Sequence, residues 1–145
     1  MGMKDRPAPW LEFLDHTADV GIRVRAASLG ELFERAAWGM MSLVTDPAAA
    51  EARDPETIEV EADDRGALMV RWLSEVNRLH QVRHRVFGRF QVERVCDTRL
   101  TGHCVGESID FSRHEVFGEI KAVTFHRLRV DCREGVWTAE VLFDV

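Results

Sequence analysis

Tyrosine is absent from this 145-residue chain, and proline (four) and cysteine (three) are scarce. Cys96, Cys104 and Cys132 lie far apart and form no CxxC pair. That excludes a cysteine-rich metal ribbon and a CxxC redox motif, and an odd number of thiols speaks against a disulfide framework. No apolar run approaches the ~18–20 residues needed to span a bilayer. The start, Met1-Gly2-Met3-Lys4-Asp5-Arg6, lacks the apolar core of a signal peptide, and Arg6 stands where myristoylation requires Ser or Thr. Reduced thiols without a signal peptide predict a cytoplasmic protein with no membrane partner. There is no internal repeat, low-complexity tract or interdomain linker. No Ser-His-Asp, Cys-His, HExxH or glycine-rich phosphate pattern occurs, so the sequence offers no catalytic residue and calls for no nucleotide cofactor of its own.

What is present fits one domain. A chain of this length buries roughly 68–70% of its unfolded surface and needs no covalent staple. Residues 1–9 read as a flexible lead-in and 10–145 as the folded unit. The formal net charge is −6 and the pI near 5.5. A polyphosphate backbone is normally met by a basic surface, so this balance argues against a stand-alone nucleic-acid binder and favours a cation or a basic protein partner.

The patterning is that of an α+β fold, a mostly antiparallel or mixed sheet with two amphipathic helices packed on it. Leu11 to Asp15 and Val20 to Ala26 read as strands; in the second, Val20, Ile22, Val24 and Ala26 alternate with Gly21, Arg23 and Arg25. Between them, 15–19 form a polar corner. Ser28-Leu29-Gly30-Glu31 has the form of a capping box, followed by a helical stripe from Leu29 to Met41 that should run to about Val44. Pro47 and Pro55 bound a loop. Thr57 to Ala62 alternates as a strand. Asp63 or Asp64 caps a second helix whose stripe is Leu68, Trp72, Leu73, Val76 and Leu79. His80 and His84, near its end, read as a surface pair at the negative pole of the helix dipole. Strands follow over Val86–Val95, Arg99–Asp110, Ile120–Asp131 and Val136–Val145, the last two joined by a tight turn at Arg133-Glu134-Gly135. Apolar residues on both faces of Ile120–Asp131 predict a central strand.

Two carboxylates have an informative setting. Asp19 follows the polar corner and opens a strand. Asp144 interrupts an apolar strand in which Trp137, Ala139, Val141, Phe143 and Val145 share the opposite face, and it adjoins the carboxylate of Val145. Taken singly, the first reads as a turn cap and the second as a solvated end. Brought together with main-chain oxygens, they make a hard-oxygen site of the kind Ca²⁺ or Mg²⁺ accepts. Lys121, in Gly118-Glu119-Ile120-Lys121-Ala122-Val123-Thr124-Phe125-His126, reads either as an anion or carboxylate partner or as an edge charge that keeps a sheet soluble.

Several of these segments resemble the archease family. They are Phe13-Leu14-Asp15-His16-Thr17-Ala18-Asp19-Val20-Gly21-Ile22, Gly106-Glu107-Ser108-Ile109-Asp110, His114-Glu115, Glu119 to His126, and the ending Trp137 to Val145. The likeness runs in order from about Trp10 to the end. It implies a protein cofactor, not an enzyme: an activator of the GTP-dependent RNA ligase that joins 2′,3′-cyclic-phosphate or 3′-phosphate ends to 5′-hydroxyl ends in tRNA splicing and RNA repair. Such a protein promotes ligase guanylylation and multiple turnover and meets RNA only indirectly. The resemblance further implies a divalent metal ion, Ca²⁺ or Mg²⁺, held by Asp19, Asp144 and Val145, with Lys121 and His16 contacting the partner's active site. The family often has Tyr where this chain has Phe125, which can donate no hydrogen bond. Two other readings compete with activation: a chaperone-like interaction module with no metal role, and a metal-dependent hydrolase of RNA ends.

Overall fold

The computed structural model describes residues 8–15 and 19–145. Of the lead-in expected over 1–9, residues 1–7 lie outside that range, while Ala8 packs on the core. In chain order the described elements are β1 (Leu11–Asp15), β2 (Val20–Ala26), α1 (Leu29–Ser42), β3 (Asp54–Glu61), α2 (Arg65–Arg83), β4 (Arg85–Val95), β5 (Arg99–Ser108), β6 (Ala122–Val123), β7 (Arg129–Arg133) and β8 (Val136–Asp144). They form two antiparallel sheets rather than one. The first has the order β1-β2-β8-β6, with β7 also pairing β8, and the second the order β3-β5-β4. Both helices touch both sheets, so the layers run sheet, helix pair, sheet.

The local chemistry explains the helices. Ser28 caps α1 by accepting from the Glu31 amide (3.2 Å). Glu31 reaches back to the Ala27 amide (2.9 Å), one residue earlier than the standard box. Asp64 caps α2 by accepting from the Ala67 amide (2.8 Å). Because α1 lies between sheets, it is buried nearly all round, including Phe33, Ala36, Ala37, Met40 and Met41. Trp72 of α2 fills the centre and donates its indole N–H to the Phe33 carbonyl (2.9 Å), which relieves the cost of burying that donor.

Two expectations are corrected. The segment 120–131 is not one central strand. It breaks into β6 and β7, both on the same edge of β8, joined by a turn in which Arg127 takes φ 53° and Phe125 is 63% exposed. Apolar residues on both faces there mark a turn over the sheet edge rather than double burial. His80 is not on the surface: it is buried, and its Nδ1–H donates to the Arg85 carbonyl (2.7 Å). His84 ends α2 in the left-handed conformation (φ 55°), so the chain reverses there and folds over His80.

Candidate metal centre

The β2–β8 ladder is the frame of the site. Its last recorded pair at one end is Val20↔Phe143, and the next step along both chains reaches Asp19 and Asp144. Residues opposite one another in antiparallel strands put their Cβ atoms on the same face, ~4.5–5.5 Å apart where pairing continues. The alternation of β8 buries Phe143 completely and turns Asp144 outward. On the other edge of β8, Ala122 pairs with Asp144 and the Lys121 amide donates to the Asp144 carbonyl (2.7 Å). Asp19, Asp144, Val145 and Lys121 therefore come from three neighbouring strand ends. His16 lies outside the described residues.

The electrostatics are one-sided. Asp144 and Lys121 are exposed and Asp19 half-buried. Neither aspartate forms an ion pair with any described residue, and Lys121 likewise pairs with no carboxylate. No cluster of three or more His, Cys, Asp or Glu side chains arranged for a metal occurs among the described residues. The donor set is two carboxylates with nearby main-chain oxygens. That composition suits a hard cation that keeps part of its water shell, and it does not suit a closed zinc site. The residues present fit a Ca²⁺ or Mg²⁺ ion on these grounds.

Close glycine packing keeps the frame tight. A Cβ on Gly21 would lie 2.6 Å from the Val141 carbonyl oxygen, so only glycine lets β2 approach β8 this closely one residue from Val20. Beside the strand ends, an apolar cavity of about 290 Å³ opens between β1, β2, the end of α1 and residues 118–120.

Residues 109–121 carry the chain from the second sheet to this site as an irregular strap. It is pinned at intervals. The Phe117 amide donates to Val44, and the Ile120 carbonyl accepts from Asn77 (2.9 Å) and Gln81 (2.7 Å). At its root sits an ion network whose residues Glu107, Asp110 and His114 the sequence marked only as parts of the family likeness, with no role. Glu107, 3% exposed, accepts from both terminal nitrogens of Arg113 (2.6 and 3.2 Å) and from the Glu51 amide (2.7 Å). His114 takes the Asp110 amide on Nδ1 (2.9 Å), which leaves Nε2–H to donate to Glu107 (3.0 Å). The Arg113 guanidinium foremost, then the Glu51 amide, hold the Glu107 carboxyl down at about 2. The signal in the sequence was the family resemblance of the segments 106–110 and 114–115, which gave no hint of their pairing.

Residues 11–145 match the model of the Archease protein family (MTH1598/TM1083). The chain belongs to the archease family. It is similar to the archease of Thermococcus gammatolerans, 35% identical over 92% of this chain and 97% of that one, and to the archease of Methanothermobacter thermautotrophicus, 36% identical over the same shares. The solution structure of Methanobacterium thermoautotrophicum protein 1598 has the same archease fold, with a TM-score of 0.78 at 34% identity, covering 94% of this chain and 99% of that one. A Thermotoga maritima archease, described as a possible chaperone, shares the fold at 18% identity, with a TM-score of 0.54 over 91% of this chain and 94% of that one.

Proposed function

We propose that this archease activates a GTP-dependent RNA ligase joining 2′,3′-cyclic-phosphate or 3′-phosphate ends to 5′-hydroxyl ends, and does so through a cation-bearing tip. The archease resemblance supports the partner class. The single observation that supports the tip is the register: Asp19 and Asp144 each stand one step beyond Val20↔Phe143, and neither forms an ion pair with a described residue. In this reading Asp19, Asp144 and oxygens of Val145 hold Ca²⁺ or Mg²⁺, and Lys121 and His16 contact the partner's active site. The ion supplies positive charge at an otherwise acidic surface. No residue of this chain makes or breaks a bond of the RNA, and the protein meets RNA only through the ligase, in the cytoplasm.

An activator works by binding the reactive conformation of its partner more tightly than the resting one. A preference of about 3 kcal/mol shifts that balance by roughly a hundredfold. Lys121 suits this role: it is exposed, forms no ion pair with a described residue and is anchored through its own amide to Asp144, so its ammonium can meet an anionic group on the partner.

Asp144→Ala and Asp19→Ala are expected to leave the thermal melt within a few degrees of wild type. Each should weaken Ca²⁺ or Mg²⁺ binding at least tenfold in calorimetry and abolish stimulation of ligase guanylylation. Multiple-turnover ligation at the wild-type level with either variant overturns the proposal. Incubation with cyclic-phosphate RNA and Mg²⁺ but no ligase separates it from the hydrolase reading, which alone expects product. The chaperone-like reading expects indifference to chelators.

A further inference from the structure

Residues 117–121 belong to no strand or helix, yet they end in the lysine offered at the tip. Between the Phe117 and Lys121 amides, which donate to the Val44 and Asp144 carbonyls, no main-chain hydrogen bond fixes this stretch among the described residues. What holds it is α2. Asn77 and Gln81 stand four residues apart on one face of that helix. Both side-chain amides donate to the same acceptor, the Ile120 carbonyl (2.9 and 2.7 Å). A carbonyl oxygen has two lone pairs, so this one is saturated from the helix side. The N–H at the other end of the same peptide unit, that of Lys121, donates to the Asp144 carbonyl (2.7 Å). One rigid peptide plane is therefore gripped at its oxygen by the core helix and at its hydrogen by the end of β8. The grip is not the cheapest packing. Asn77 is 7% exposed, and its Oδ1 finds no partner among the described residues. A buried acceptor left unmet costs stability, and Gln81 by itself already serves the Ile120 carbonyl. An amide placed there at such a cost points to a role in geometry rather than in holding the fold together.

We infer that Asn77 and Gln81 are positioning residues of the tip: they fix the Ile120–Lys121 peptide, and with it the direction in which Lys121 leaves the sheet edge. What Lys121 does to a partner rests on the activator reading; what holds it rests on these hydrogen bonds alone. Lys121 is exposed and forms no ion pair with a described residue, so its direction starts from its backbone. A long side chain that must be ordered on docking loses conformational freedom, and anchoring its backbone beforehand removes part of that cost. The gain falls on association more than on the step that follows it. Through the same two amides α2, which carries Trp72 between the sheets, also sets where the tip stands relative to the core.

The test uses the full chain and the variants Asn77→Leu and Gln81→Ala. Both should melt within a few degrees of wild type, since leucine has the branched outline of asparagine and Gln81 is exposed. In each, native-state hydrogen exchange of the Lys121 amide should quicken about tenfold, while the amides of α1 keep their wild-type rates. A variant that merely loosened the fold would quicken both. In ligase guanylylation, the archease concentration giving half-maximal stimulation should rise about fivefold, and the maximal rate should fall less than about twofold. Lys121 exchange at the wild-type rate in both variants overturns the inference, as does quickened exchange with an unchanged half-maximal concentration or a loss confined to the maximal rate. If Asn77→Leu fails to fold, Gln81→Ala decides alone. If the wild-type protein stimulates no ligase, the activator reading fails, and Lys121 exchange by itself decides whether the two amides set the tip.

Discussion

Glu107 illustrates how one buried carboxylate can secure a whole segment. It is nearly inaccessible yet meets Arg113, His114 and the Glu51 amide, and truncating one partner of such a network leaves the others uncompensated. Its carboxyl titrates at about 2 in the fold against 4.5 for the free group. Its contribution is therefore complete above pH 4.5 and is lost as the pH falls from there toward 2. Urea midpoints across that window should drop for wild type and flatten for Glu107→Gln, which is less stable throughout. The outcome checks whether the strap root, and not some other carboxylate, carries the acid sensitivity.

At the scale of elements, most of the architecture was legible because it is written in local chemistry. The Ser28 and Asp64 caps, the α1 stripe, the alternation of β2 and the reversal at Glu134-Gly135 (φ 52° and 78°) all appear where the pattern places them. The pairing of β2 with β8 was not legible in the pattern, since it depends on which strands neighbour one another and no periodicity encodes that. The 120–131 segment misled because apolar residues on both faces look alike whether a strand is doubly covered or a turn leans over an edge. His80 misled for a related reason: its burial comes from the chain reversing at His84, a tertiary event. Burial holds the His80 ring below its ordinary 6.5, and the nearby His84 adds to that, while the Arg85 carbonyl pulls the other way. The unfolded chain therefore takes up the proton first, and stability should fall as pH drops below 6.5. Denaturation midpoints between about pH 7.5 and 5 should show that slope in wild type and lose it in His80→Asn.

At the scale of the molecule, the helix pair is the shared core of two sheets that barely meet otherwise. Trp72 is its keystone, fully buried between Phe33 and Gly102, with its ring 3.1 Å from the position a Cβ on that glycine would take. Trp72→Ala removes the largest core side chain and leaves a cavity between the sheets, so a loss of about 3–5 kcal/mol is expected. For a chain of this size that lowers the melting temperature by roughly 6–20 °C, as calorimetry would show. Both sheets should melt together, because neither has another layer to cover its inner face.

The central place of β8 in the first sheet has a consequence for how the protein is born. The other described elements leave the ribosome before it, yet β2 and β6 have no lasting partner on that side until it arrives. The closing contact Arg23–Glu140 spans 117 positions. A nascent chain can thus assemble the β3-β5-β4 half early, while the β1–β2 hairpin waits with one edge open to stray pairing. A chain halted before β8 would leave β2 and β6 without the strand that joins them.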